Sequence, residues 1–176
     1  MATSNDLYYG LLAELSYTDF RDESLSHGDT ETNSAWEKNA KIDIESNSGN
    51  VAAGHVDIFV DLLSTYEIVD FKSTASGMQA LLLKDDTGHY TIAYRGTQFE
   101  ISIEGFLDTV VADISSMGLK VAPKFQFMDA LKVTSDWMSE YNLNTSNTTL
   151  SGHSLGGALA QLNSYTFGFE AYTYNA

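Results

Sequence analysis

The strongest constraint on the fold of this chain is one five-residue motif, Gly152-His153-Ser154-Leu155-Gly156. A strand-like run, residues 148–151, precedes it, and a helix-like run, residues 155 to about 164, follows it. The two glycines allow a turn so tight that side chains at their positions would collide. The motif therefore predicts a strand, a sharp turn that holds Ser154 in a strained backbone conformation, and a helix.

Helix-like and strand-like segments alternate along the rest of the chain. Apolar residues recur at helical spacing in the N-terminal segment, at Tyr8, Leu11, Leu12 and Leu15. Three more helices are predicted, over residues 56–63, 103–114 and 123–141. Strands are predicted over residues 66–71, 78–84, 89–94 and 171–174. Residues 85–88 form a turn sequence between the second and third of these, so the first three are predicted to be consecutive antiparallel strands. The mixture predicts an α/β fold with a central mixed sheet.

Length and composition predict a single domain over residues 1–176, with a long polar excursion over residues 21–54. The hydrophobic fraction of 43% excludes a chain that is disordered throughout. Nine basic against 24 acidic residues give a net charge of −15, which disfavours nucleic acid as a partner. No apolar stretch reaches the roughly 18 residues that would predict a transmembrane helix. The absence of cysteine excludes disulfides and thiolate catalysis.

A serine on such a turn is placed for nucleophilic chemistry. The Ser154 hydroxyl would stand at the carboxyl end of a strand, over the N-terminus of the next helix. The helix dipole there favours the negative charge that develops when a carbonyl is attacked. His153 adjoins the serine, but neighbours on a sharp turn point apart, so we expect it to pack beside the turn and not to act as the base.

A second motif, Tyr94-Arg95-Gly96-Thr97, makes the pattern more specific. With the Ser154 motif and the following Gly157-Ala158-Leu159-Ala160, the sequence resembles the class 3, fungal-lipase-like family of α/β-hydrolases. The resemblance implies a three-layer α/β-hydrolase sandwich and no metal or cofactor. It implies Ser154 as nucleophile, with oxyanion donors from the Leu155 backbone N–H and from the backbone and hydroxyl of Thr97. Arg95 would be a structural, ion-pairing residue.

Two interpretations are open for residues 99–114, a lid and a core helix. Family members carry a mobile lid directly after the oxyanion strand, and the aromatic and aliphatic residues here would suit a surface that opens onto lipid. The periodicity of residues 103–114 instead favours a core helix, which would leave residues 99–102 as the lid-like part.

The acid and base of the expected mechanism have no obvious source. In α/β-hydrolases they follow the serine as Asp or Glu and then His, whereas residues 155–176 hold one carboxylate, Glu170, and no histidine. One interpretation is a partial hydrolase domain, incomplete on its C-terminal side, whose Asp and His come from a second chain or a C-terminal segment. The alternative is a catalytically inactive hydrolase fragment that serves as an interaction or complementation module.

The resemblance implies a lipase-like or phospholipase-like carboxylic ester hydrolase. An acylglycerol or a phospholipid is the expected substrate, and short-chain or feruloyl esters stay open. The resemblance also implies an extracellular location, although the N-terminal residues carry no recognisable signal. A cytoplasmic location is the alternative.

Overall fold

The structure, a computed structural model, describes residues 4–17, 65–96 and 122–176. Its three helices are α1 (Ser4–Leu15), α2 (Ala122–Glu140) and α3 (Leu155–Phe167). Its five strands are β1 (Tyr66–Ser73), β2 (Gln79–Asp85), β3 (Tyr90–Tyr94), β4 (Thr148–His153) and β5 (Glu170–Tyr174). The predicted helices over residues 56–63 and 103–114, the polar excursion over residues 21–54 and the lid-like residues 99–102 lie outside the described residues.

The five strands form one mixed sheet in the order β1-β2-β3-β4-β5. β1, β2 and β3 are successive antiparallel neighbours, whereas β4 lies parallel to β3, and β5 lies parallel to β4. The predicted antiparallel trio, the α/β class and the mixed sheet are therefore confirmed. Because β3, β4 and β5 run in the same direction, their carboxyl ends meet at one edge of the sheet.

The β2–β3 connection shows how local sequence sets the register. The Asp85 carboxylate accepts hydrogen bonds from the backbone N–H groups of Thr87 and His89, each at 2.9 Å. Gly88 adopts a φ of 86°, a left-handed conformation that suits glycine. Partial burial raises the pKa of Asp85, but the hydrogen bonds from Thr87 and His89 outweigh it and leave the pKa lowered. The ionised carboxylate thus closes the predicted turn.

α1 covers one face of the sheet. Its Leu11, Leu12 and Leu15 are buried against side chains of the first three strands, including Leu81 and Leu83 of β2. The helix and these three contacts were predicted from the apolar stripe. The stripe was wrong at Tyr8, which is 41% exposed because it lies at the margin of the sheet beside Tyr66.

α2 and α3 cover the opposite face. Ala80 and Leu82 of β2 point to this side, so consecutive residues of β2 are buried on opposite faces of the sheet. The buried residues of α2 are Ala130, Val133, Thr134 and Trp137. The stripe that helical spacing predicts for this helix contains three of these and omits Val133. Its members are Phe127, Ala130, Leu131, Thr134, Trp137, Met138 and Tyr141. Burial on both faces explains why β2 carries three consecutive leucines.

A buried carboxylate joins β1 to α2. Asp70 accepts a hydrogen bond from the Trp137 indole N–H at 2.8 Å and a longer one from the Tyr141 hydroxyl at 3.4 Å. Lys72 lies 2.9 Å from the same carboxylate oxygen, Oδ2. Since Trp137 is fully buried, its N–H has no route to water if the carboxylate is removed.

None of the helices within the described ranges is long and apolar enough to cross a membrane.

We expect Asp70→Ala to lower the free energy of unfolding by about 1 to 3 kcal/mol, because it leaves a buried donor unpaired. Urea denaturation followed by tryptophan fluorescence measures the change. The control is Asp136→Ala, which removes an exposed carboxylate that pairs with Lys132 of the same helix. That change should cost less than about 0.5 kcal/mol. Equal effects of the two substitutions would contradict the assigned role of Asp70.

Candidate active site

Ser154 lies in the tight turn between β4 and α3. Its φ of 56° and ψ of −127° put a non-glycine residue in a rarely populated region of backbone space. The turn is held from both sides, because the Ser154 N–H donates to the Tyr174 carbonyl at 2.9 Å and its carbonyl accepts from the Ala158 N–H at 3.2 Å. The residue is exposed, and its side chain makes no capping bond to the helix. The predicted strand, strained turn and helix are confirmed.

Both motif glycines lie where no side chain fits. A Cβ at Gly152 would overlap the carbonyl group of Gly156, and a Cβ at Gly156 would overlap the carbonyl oxygen of Tyr94. The first contact lets the strand fold back against its own helix. The second presses the start of the helix against the end of β3. The glycines are therefore required by close approach, as the sequence predicted.

The start of α3 supplies donors beside the serine. Leu155 is the first residue of the helix, where backbone N–H groups have no intrahelical acceptor. The aligned peptide dipoles add a partial positive charge at this end. An anionic oxygen beside Ser154 would therefore meet a favourable potential. Leu155 itself is half-buried.

Thr97, the other predicted oxyanion residue, lies outside the described residues. The chain is described up to Gly96, directly before it. Gly96 lies close to the β4 end, since a Cβ built on it would come within 2.8 Å of the His153 carbonyl oxygen. In the β3–β4 register Tyr94 is the partner of Gly152. The structure thus brings the segment that leads into Thr97 next to the Ser154 turn.

Arg95 is buried beneath this edge. Its Nη1 donates to the Gln79 side-chain oxygen at 2.5 Å, and its backbone N–H donates to the Gln79 carbonyl at 3.0 Å. Its guanidinium carbon lies 5.7 Å from the centroid of the Tyr17 ring, in cation–π geometry. These contacts give Arg95 a structural position, whereas the ion pairing that the resemblance implies for it stays a prediction.

His153 packs beside the turn. Its Nδ1 lies 3.3 Å from the Tyr17 hydroxyl, and its Nε2 lies 3.5 Å from the Asn175 amide nitrogen. The two rings meet edge to face, with centroids 6.2 Å apart. Both ring nitrogens are therefore engaged by neighbours, as expected for a packing histidine.

Tyr17 also contacts the site, and no sequence pattern predicted it. It follows α1 by two residues, and its ring contacts both Arg95 and His153, far along the chain. The only signal was an aromatic side chain just beyond the apolar stripe of α1. Its role depends on contacts across 136 residues, which no local pattern records.

Within the part of the chain that the structure describes, no group of three or more His, Asp or Glu side chains is arranged to hold a metal ion.

A comparison with protein-family models decides the family. The model of the Tle-like phospholipase domain, in the phospholipase-like group, matches residues 17–176. The chain belongs to this family. No curated protein and no solved structure matches the chain significantly. Membership in the Tle-like phospholipase domain family supports lipase-like or phospholipase-like hydrolysis of ester substrates.

The glycine contacts predict opposite outcomes for two Gly→Ala changes in helices of this phospholipase domain. Gly156→Ala should lower the free energy of unfolding by about 1 to 3 kcal/mol or more, because the methyl group overlaps the β3 backbone. Gly10→Ala should raise it by about 0.5 to 1 kcal/mol, because alanine favours a helix interior. The nearest atom to the Gly10 position, in the Tyr174 ring, is at an ordinary contact distance of 3.4 Å.

Thermal unfolding followed by circular dichroism measures both changes. Equal tolerance of alanine at the two positions would contradict the close approach of the turn to β3.

Proposed function

We propose that this phospholipase domain hydrolyses carboxylic esters of lipids with Ser154 as the nucleophile. The observation that supports this most is the backbone of Ser154, which is strained, exposed and held at the N-terminus of a helix. A strained non-glycine residue at such a turn needs a reason, and presentation of a reactive hydroxyl is one that the family supports.

The proposed chemistry is acyl transfer. The Ser154 oxygen attacks the acyl carbonyl carbon, and the carbonyl oxygen becomes an oxyanion. The Leu155 N–H is proposed to bind that oxyanion, with Thr97 as the second donor. Each preorganised donor of this kind is worth about 3 kcal/mol of barrier. A base takes the Ser154 hydroxyl proton, the oxyanion re-forms the carbonyl as the ester C–O bond breaks, and the alcohol leaves with that proton. Water then gives a proton to the base and attacks the acyl-serine carbonyl, and the acid is released as the Ser154 oxygen recovers the proton.

We propose an α/β-hydrolase arrangement of the class 3 lipase type. It is supported by the sheet edge at which β3, β4 and β5 end and by the helices on both faces. It is supported too by the place of the serine directly after a buried parallel strand. Acylglycerols and phospholipids are the proposed substrates, and the matched family favours phospholipids.

The serine needs a base to become a good nucleophile. Of the described histidines, His153 is engaged through both ring nitrogens, and His89 bonds the Thr149 hydroxyl at 2.8 Å on the β3–β4 pair. Glu170 is exposed at the start of β5, at the opposite end of that strand from the Ser154 edge. We propose that none of these three residues is the acid or the base, and that the Asp and His come from a second chain or a further segment.

Labelling with a fluorophosphonate probe tests the nucleophile. We expect one adduct per chain, on Ser154, when the segment or chain that carries the acid and base is present. Ser154→Ala should abolish the adduct and lower phospholipid hydrolysis by at least about 10³-fold. Ser135→Ala, an exposed serine of α2, is the matched control and should change neither.

Peptide mass spectrometry locates the label. An adduct that survives Ser154→Ala would overturn the proposal. If Ser154 stays unlabelled with and without the added segment, the domain is instead the inactive interaction module.

Net charge predicts a preference among lipid surfaces. With a charge of −15, the chain is repelled by anionic vesicles and not by zwitterionic ones. Hydrolysis should be faster on phosphatidylcholine than on phosphatidylglycerol at low salt. The ratio of the rate on phosphatidylcholine to the rate on phosphatidylglycerol should fall as the Debye length shortens from about 30 Å at 0.01 M salt to about 3 Å at 1 M.

A soluble, uncharged short-chain ester is the control, and its rate should not follow this trend. Faster hydrolysis of the anionic vesicles at low salt would contradict the electrostatic argument.

A further inference from the structure

One phenol hydroxyl links the two chain segments that flank the candidate site. The Tyr17 hydroxyl lies directly against Gly96, two residues beyond β3, where it faces the glycine backbone. The same oxygen lies 3.3 Å from His153 Nδ1 and 3.4 Å from the His153 carbonyl oxygen, at the end of β4. Ser154 is the next residue after His153. Tyr17 therefore contacts both Gly96, which directly precedes Thr97, and His153, which directly precedes Ser154.

The donors and acceptors around this oxygen form a consistent set. The tautomer of His153 that accepts from the Asn175 amide nitrogen at Nε2 carries its proton on Nδ1. Nδ1–H then donates to the Tyr17 oxygen. The Tyr17 hydroxyl then donates its own proton to the His153 carbonyl oxygen. The oxygen thus accepts from Nδ1–H, donates to the His153 carbonyl and lies against Gly96.

The surroundings keep the phenol in place and protonated. Burial raises the pKa of Tyr17, although the Gly96 N–H and the nearby Arg95 charge offset part of the increase. The phenol is therefore neutral near pH 7 and able to donate. The Arg95 guanidinium lies over the ring. At Gly96 a side chain would collide with the Tyr17 hydroxyl, so the two groups are in direct contact.

We propose that Tyr17 is a positioning residue of the hydrolase, an inference that rests on the proposed function. Its hydroxyl fixes the end of β3 relative to the Ser154 turn, and so sets the spacing between the serine and the segment that leads into Thr97. Oxyanion donors act only within about 2.7 to 3.1 Å of the developing charge. A small shift of one segment relative to the other therefore slows the reaction without weakening lipid binding.

Tyr17→Phe tests this role because it removes the hydroxyl and keeps the ring. We expect kcat to fall about 10- to 100-fold, with KM changed less than about twofold. The rate of fluorophosphonate labelling of Ser154 should fall in parallel. Tyr9→Phe is the matched control, since it removes a tyrosine hydroxyl from the adjoining helix α1, where the ring stacks on Tyr172 with centroids 4.3 Å apart. That variant should react like the wild type.

A second measurement reads the hydrogen bond itself. Amide hydrogen exchange by NMR should show that Tyr17→Phe removes protection of the Gly96 N–H, while the buried amides of Leu82 and Leu150 keep theirs. A structural role in general stability would instead lower protection at all three amides. Tyr9→Phe should leave Gly96 protected.

The outcomes separate the two proposals. If the wild type labels at Ser154 and Tyr17→Phe labels equally fast, the positioning role is overturned and the hydrolase proposal stands. If the wild type does not label, the hydrolase proposal fails, and with it the catalytic role of Tyr17. Unchanged exchange at Gly96 in Tyr17→Phe overturns the bridge whatever the activity.

Discussion

The close approach of the Ser154 turn to the end of β3 is the contact on which the site depends. Gly156, the second residue of α3, packs directly on the Tyr94 carbonyl, and Gly152 packs on Gly156. These contacts leave the backbone no room to relax toward an ordinary strand-to-helix connection. The serine between the glycines keeps a φ of 56° for that reason. A strained residue persists only when its surroundings determine it from several sides.

The rest of the described structure supports this edge. β3, β4 and β5 run parallel, so the residues after each strand meet beside the serine. α1 is attached to the same strands, because the buried Ser151 hydroxyl donates to the Tyr9 carbonyl at 2.6 Å and Tyr17 contacts His153. The Asp70 carboxylate ties α2 to the far side of the sheet. The layers thus form a support for one short turn.

The sequence predicted the parts of this arrangement that local sterics and periodicity control. Glycine spacing predicted the turn at Ser154, and the turn-forming residues 85–88 predicted the antiparallel pairing, because both are decided within a few residues. It was wrong at Tyr8 and missed Tyr17 and Val133, whose surroundings come from distant elements. The link between Asp70 and Trp137 spans 67 residues and left no trace in the pattern. The roles of Ser154, Leu155 and Thr97 stay predictions.

A crystal structure of the fluorophosphonate adduct tests the central claim most directly. The account predicts a covalent bond from the Ser154 oxygen to phosphorus, with the phosphonyl oxygen about 2.7 to 3.1 Å from the Leu155 N–H and on the side of the Gly96 segment. Ser154 would keep its strained backbone, with a φ near 56°. An adduct whose oxygen points into solvent, away from the start of α3, would contradict the account.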